Sequence, residues 1–510
     1  MAAAARTEAP PAQPRRHRRA FSALAAVPRL LRAHPALTLV LALGILLRVA
    51  IAVAYRPALM WDDSWAYLNT AFRNLPVSIS GSRPSGYPLL VRILTGNDVS
   101  LAGLVSAQHL AGLTVGVLAY VLAVRLNVPR WMAAVLAAVL LLDSYALTLE
   151  QTMMPESLFT LALLLSAYLL IAHKSSVVAL AGSGALLAIA TTIRTAALFA
   201  VPVWLWYLLG GPRTRRGVTA AVLALALPLL AYCSFHALVG RGFMMVEADG
   251  WFLYGRVAAI ADCRTFAHDP SLGRLCDPHP LSHRHDPTYY VFLPTSPAVR
   301  VFQHLGGKDA KKSLSSNATL RRFGLSVIRD RPLRYVSLVG DDYLKLFTGR
   351  AFVETAIVMP ARPRALAAYS EEARRNYLPG YAPKIHPPAG LLLDYQQVAH
   401  TPGWLAGLAA LVVLLATPAL LVRRVRRRAR YLPEGLLLGG IGVTTSLGAV
   451  ATVSREVRYL VPTVPFLLTG ALVALASLVR ARRDGRRSAT AVGPPSDRAN
   501  PAARDVPSTA

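Results

Sequence analysis

The sequence predicts an all-α polytopic membrane protein with about ten transmembrane helices. Three observations predict it. Over 510 residues, 54% are hydrophobic and only 16% charged, more apolar surface than soluble cores of this length would hide. The apolar residues gather in blocks of roughly 18–25, the length a helix needs to cross a bilayer. Backbone polar groups in lipid must be satisfied within their own segment, so those blocks are expected to be helices.

Residues 1–34 are rich in Ala, Pro and Arg and read as a disordered basic cytoplasmic arm. The first apolar block, 36–54, is long enough to span and is expected to stay as an anchor, not a cleaved leader. A hydrophilic outer loop, 55–98, follows it. Blocks at 99–124, 131–149, 157–173, 177–193, 196–210 and 218–239 complete a membrane domain over 35–239. Residues 240–400 form a long α-rich or mixed extracytoplasmic region. Three further blocks, 402–422, 434–453 and 458–479, make up the C-terminal membrane helices of 401–480. Residues 481–510 are Arg-rich, then Pro-, Ser- and Ala-rich, and read as a disordered cytoplasmic tail.

The net charge of +29 lies in short clusters between apolar blocks. The clusters are the N-terminal arm, Arg125/Arg130, His173/Lys174, Arg213/Arg215/Arg216, Arg423–Arg430 and Arg480–Arg487. With ten spans, all of them fall on one side, which the positive-inside rule makes cytoplasmic. The expected location is the plasma membrane, multi-pass, with both termini cytoplasmic. The count turns on 177–210, which divides into two short spans at Ile193-Arg194-Thr195; one tilted helix there would invert everything downstream. Charge spread this way, with no recognition motif, excludes nucleic acid as a partner. The lipid bilayer is the expected partner. No internal repeat of the inverted-transporter kind is visible.

The chemistry-bearing residues lie on the outward side. Asp62 and Asp63 stand just beyond the first span among aromatics, in Trp61-Asp62-Asp63-Ser64-Trp65-Ala66-Tyr67. An interfacial carboxylate can act as a base; the same pair also fits the cap of a helix starting at Ser64. Arg83-Pro84-Ser85-Gly86-Tyr87-Pro88 is a rigid turn beside an arginine, whose planar fork of donors suits phosphate, or is solvated. Glu156 precedes a Ser-Leu-Phe helix start, where the helix dipole also favours an acid. Asp143 is a weaker intramembrane candidate. Arg194, and Arg455 and Arg458 in Ser454-Arg455-Glu456-Val457-Arg458-Tyr459-Leu460, are outward arginines that break the charge rule. Arg194 and Arg48, the latter high in the first span, fit either phosphate binding or snorkelling to headgroups.

The Asp-Ser-x-x-Tyr-x-x-x-Ala stretch from Asp63, followed by Arg-Pro-x-Gly-Tyr-Pro from Arg83, resembles the GT-C glycosyltransferases. The likeness is to the branch with protein O-mannosyltransferases, the aminoarabinose transferase of lipid A and actinobacterial cell-envelope transferases. It implies transfer of a sugar from a polyprenyl-phosphate donor to an extracytoplasmic glycan, lipid or protein hydroxyl, with inversion. It puts the catalytic acid at Asp63 or its neighbour Asp62, in a position where the family commonly has Asp-Glu. It matches Glu156 to a second acidic position, and the Arg-Tyr-Leu run at Arg458 and Tyr459 to a late outer motif. Arg83, Arg194, Arg455 and Arg458 become candidates for the donor phosphate. The resemblance fixes no cofactor and leaves a divalent metal open. The rival reading is a transporter or flippase of a lipid-linked envelope precursor.

In the long outer region, Cys263 and Cys276 face the oxidising side and are expected to form a disulfide, while Cys233 lies in a span as a small apolar filler. Gly250-Trp251-Phe252-Leu253-Tyr254-Gly255-Arg256 offers a sugar platform or ordinary packing. His268, His279, His283 and His285 lack standard zinc spacing and read as a polar loop. Asn317-Ala318-Thr319 matches a glycosylation sequon.

Overall fold

Proline at the first turn and a run of aliphatic side chains make α1, Pro35–Ala54, the first membrane-length helix. The computed structural model describes residues 32–72, 83–96, 99–305, 313–348, 358–362 and 368–491. The arm over 1–31, the tail beyond 491 and part of the first outer loop, 73–82, lie outside the described residues. After α1 come α2 (Asp62–Phe72), α3 (Gly86–Thr95), α4 (Leu101–Arg125), α5 (Arg130–Leu141), α6 (Ser144–Gln151), α7 (Glu156–Ala172) and α8 (Val177–Ile193). Then follow α9 (Val201–Leu209), α10 (Arg215–Leu238), α11 (Asp249–Val257), α12 (Leu314–Asp330) and α13 (Pro332–Lys345). The last three are α14 (Gly403–Ala416), α15 (Leu432–Thr452) and α16 (Val464–Ala491). Among the described residues, the strands form one antiparallel pair, β1 (Tyr55–Arg56) and β2 (Lys384–Ile385).

The chain is therefore an all-α membrane protein. Among the described residues, six helices are long and apolar enough to cross a bilayer: α1, α4, α10, Gly403–Leu420, α15 and Val457–Asp484. The bent pair α5–α6 makes a seventh when taken together, and three shorter apolar helices are Glu156–Ala172, Val177–Ile193 and Thr195–Leu209.

The structure departs from the sequence reading at particular residues. The block at 131–149 is not one straight helix: α5 and α6 meet at 47°. Asp143 causes the break. Its carboxylate accepts the Ala146 N–H at 2.7 Å and the Thr401 N–H at 2.5 Å, so it caps a new helix instead of continuing the old one. The described part of 55–98 is largely helical, holding α2 and α3. α2 starts at Asp62, not Ser64. The Ser64 hydroxyl instead reaches back to accept the Trp61 N–H at 2.8 Å, as a capping box does. At the other end α16 runs to Ala491, past the expected end of the last span.

Close backbone approach holds the helices together. α8 packs on α7 and α10, and α15 on α16. Gly435 and Gly439 of α15 face Gly470 of α16, where a Cβ would lie 2.2 Å from the Gly439 nitrogen. Small residues at such a contact let two membrane helices pack by dispersion, since lipid tails are as apolar as the helices themselves.

The region after α10 has its own core, in which Trp251, Tyr254, Phe266, Tyr290 and Phe323 are buried between α11, α12 and the intervening turns. Trp251 and Tyr254 are fully covered, so this segment is packing and offers no exposed sugar platform. Asn317 is also buried; its side-chain oxygen accepts the Gly250 N–H at 2.7 Å, which closes the sequon to modification in the folded chain. Cys263 and Cys276 form a disulfide. Tyr335 and Tyr343 of α13 dock this region on α15 through the Ala451 carbonyl at 3.0 Å and the Ser446 hydroxyl at 3.1 Å.

Candidate functional site

α2 begins just after the first span, so its first turn lies at the end of the bundle where α1 finishes. Asp63 on that turn is flanked by two guanidiniums. Arg83 binds its Oδ1, and Arg458 binds its Oδ2 at 2.5 Å. Arg83 comes from the turn before α3, and Gly86 sets its approach. A Cβ there would lie 2.5 Å from the Thr192 carbonyl oxygen, so only glycine lets this turn press on the end of α8. Tyr232 of α10 fixes the same turn by accepting the Ser85 N–H at 3.0 Å.

Glu156 opens α7 immediately after Pro155, and Arg194 follows the last residue of α8 in extended backbone. The two side chains pair through Glu156 Oε1. Tyr459 joins this pair to the first. The Arg194 guanidinium lies 5.2 Å from the Tyr459 ring centre and that of Arg458 lies 5.0 Å from it. Arg83 lies 5.3 Å from the Tyr67 ring. Cations on aromatic faces keep their charge at lower desolvation cost than in hydrocarbon. Glu456 pairs with the Arg458 Nε.

Thus Asp63, Arg83, Glu156, Arg194, Arg458 and Tyr459 come from separate segments into one cluster. Burial pushes the Asp63 carboxyl up, but Arg83 and Arg458 outweigh it and hold it well below the usual carboxylate range. Burial also pushes the Tyr67 hydroxyl up to about 12. Asp63 is therefore ionised at neutral pH, and the arginines are already engaged. An incoming anion would have to compete with carboxylates for them.

Two sequence candidates stand elsewhere. Asp62, one residue earlier on the same turn, is exposed where Asp63 is half-buried. Arg455 turns away to Asp342 of α13, at 3.5 Å, where Asp342 also accepts from the buried Arg256 at 2.5 Å. Arg455 thus ties the outer region to the bundle.

Arg48 neither snorkels nor joins the cluster. It pairs with Glu150 at 2.7 Å, both side chains under 5% exposed, and donates to the Leu141 carbonyl at 2.9 Å. His109 meets the second Glu150 oxygen at 2.9 Å and Gln151 at 2.9 Å on its other nitrogen. Gly112 makes room, since a Cβ there would lie 1.8 Å from Glu150 Oε1. The sequence reading missed Glu150 and His109. The signal was there: an arginine inside a span demands a buried partner.

A pocket runs beside Glu156, walled largely by apolar residues including Val115, Leu140, Leu149 and Pro462, with Asp143 and Glu150 also on its wall. Glu156 is 2% exposed, and its Oε2 has no hydrogen-bond partner among the described residues. Among the described residues, no three His, Cys, Asp or Glu side chains gather to hold a metal ion. His279 instead pairs with Asp277 at 2.6 Å. Comparison with family models, curated proteins and solved structures gives no match.

Proposed function

We propose that the chain is a GT-C-type membrane glycosyltransferase that moves a sugar from a polyprenyl-phosphate donor to an extracytoplasmic hydroxyl. The observation that carries the reading is a single carboxylate, Asp63, held between Arg83 and Arg458, with Arg194 one aromatic ring away. A phosphate needs such donors, and a hydroxyl nucleophile needs such a base. The apolar cavity beside Glu156 suits a hydrocarbon chain leading to the cluster. A ten-span topology with both termini cytoplasmic would put this cluster on the outer face, where lipid-linked sugars are presented.

In this mechanism the donor phosphate draws the arginines off Asp63. That removes the charges holding its carboxyl down and makes it a stronger base. The acceptor oxygen attacks the anomeric carbon, its proton passes to Asp63, and the bond from that carbon to the phosphate oxygen breaks on the opposite face. The configuration inverts. The negative charge grows on the departing lipid phosphate, where guanidiniums in a water-poor site stabilise it. Tyr67 and Tyr459 keep those guanidiniums in place.

The test is transfer in membranes, with radiolabelled mannosyl and arabinosyl polyprenyl phosphates as donors. Asp63→Asn is expected to lose about 10²-fold or more, the range of a positioned general base. Asp62→Asn is expected to stay within about threefold, as for an exposed side chain away from the reacting atoms. Full transfer by Asp63→Asn would sink the catalytic assignment. Movement of the intact lipid-linked sugar across sealed vesicles, without transfer, would favour the flippase reading.

A further inference from the structure

α13, Pro332–Lys345, has three unlike sides. One packs on the bundle. Tyr335 donates to the Ala451 carbonyl at 3.0 Å and Tyr343 meets the Ser446 hydroxyl at 3.1 Å, with Val339 buried between them. A second side carries Arg334, Asp341 and Lys345, all exposed. The third carries Leu333, Val336, Gly340 and Leu344, which recur at three- and four-residue steps and so share one stripe. Leu333 is 83% exposed, Val336 65% and Leu344 66%. A Cβ at Gly340 would meet nothing within 4 Å, so the stripe is open at its centre. Single exposed apolar side chains are ordinary, but an apolar stripe along a helix calls for something to cover it.

The depth of α13 says what that is. Ser446 precedes the last residue of α15, Thr452, by six positions, about 9 Å along the axis. Just past α13, Phe347 is buried against α14, where a Cβ on Gly407 would lie 2.8 Å from the Phe347 Cβ. Gly407 lies four positions after the start of α14 at Gly403, about 6 Å along that axis. Both contacts fall inside helices long and apolar enough to cross a bilayer. α13 therefore descends beside two spans, below their ends, where the surrounding solvent is lipid. An interfacial helix buries its apolar side about 5–10 Å into the boundary between headgroups and acyl chains, which is this depth. The neighbouring surface agrees. Trp404, Leu408, Leu411 and Leu415 form an exposed stripe on α14. Gly407, under Phe347, is three positions from Trp404 and four from Leu411, so the end of α13 meets the edge of that stripe.

We propose that α13 is a membrane-interfacial helix whose stripe of Leu333, Val336, Gly340 and Leu344 is covered by lipid acyl chains of the leaflet at the Asp63 end. Arg334, Asp341 and Lys345 then face headgroups and water. The inference does not rest on the transfer reading. It gives the bilayer a hold on the Arg455–Asp342 contact, which the same helix carries.

The experiment uses the full chain in phosphatidylcholine nanodiscs, in a Cys233→Ser background. One nitroxide at a time is placed on Val336→Cys, Leu344→Cys, Arg334→Cys or Asp341→Cys. Oxygen, which concentrates in acyl chains, and a nickel chelate, which stays in water, are compared as relaxing agents. The oxygen-to-nickel collision ratio is expected to be at least about threefold higher at Val336 and Leu344 than at Arg334 and Asp341. The unmodified chain supplies a second measurement. A phosphatidylcholine with a diazirine in its acyl chain is expected to attach within Pro332–Lys345 on illumination. Equal ratios at the four positions would put the stripe in water and overturn the proposal. Exclusion of both reagents from Val336 and Leu344 would put protein over the stripe and overturn it too, as would spin–spin broadening at Leu344, the mark of a second copy. Absence of the lipid adduct from Pro332–Lys345 would have the same consequence.

Discussion

Asp63 is held by two arginines, and its acid–base behaviour follows from them. A carboxyl held below its unfolded value contributes stability above that value, about 3.9 for Asp, and loses it as pH falls further. The Tm difference between wild type and Asp63→Asn is expected to be flat from about pH 5 to 8 and to shrink below about pH 4. A thermal-unfolding series in detergent checks this; a difference that shrinks already at neutral pH would contradict it. Under turnover the expectation changes. If phosphate draws the arginines away, the acid limb of kcat lies higher than the titration of the resting carboxyl. Arg458→Lys is expected to recover little of the function lost in Arg458→Gln, because an ammonium cannot bridge a carboxylate or phosphate as a fork while also facing Tyr459. Donor KM, read beside kcat, separates lost binding from lost chemistry.

Among the elements, the test falls on buried charge. Arg48→Met leaves Glu150 without its guanidinium partner inside the bundle, and breaking such a buried pair is expected to cost about 3–5 kcal/mol. Arg48→Met/Glu150→Gln is expected to recover much of that, giving a coupling that a double-mutant cycle of unfolding measures. On the other side of the bundle, Gly470→Val would drive a side chain into Gly439 and is expected to prevent α15 and α16 from closing, read as loss of folded protein on size exclusion. These elements also show what the sequence made legible. The apolar blocks were plain because lipid demands long uncharged runs; Arg194 and Arg458 stood out as arginines that a ten-span count sets against the positive-inside rule, and Asp63 and Arg83 through the motif resemblance. The Asp143 break was hidden, since a capping aspartate inside an apolar run differs from a buried one only through a partner at Thr401, far along the chain. Arg455 and Arg458 looked equivalent three positions apart. Only the docking of α13, which brings Asp342 to Arg455, separates them.

For the molecule as a whole, the issue is which side is which. Asp62→Cys, at the Asp63 end, is expected to react with a membrane-impermeant maleimide on intact cells, whereas Arg427→Cys is expected to react only after permeabilisation. The opposite pattern would reverse the proposed orientation. Removing the disulfide by Cys263→Ser/Cys276→Ser is expected to cost about 2–4 kcal/mol, lowering the unfolding temperature of the outer region while α15 and α16 stay packed. That region is joined to the Asp63 cluster by a very short tether. Arg455 grips Asp342 of the outer region, Arg458 grips Asp63, and only Glu456 and Val457 separate them. So short a strap has almost no slack. Two residues of backbone thus carry both the contact that seats α13 and the contact that holds Asp63, with no loop between them to absorb a change in either.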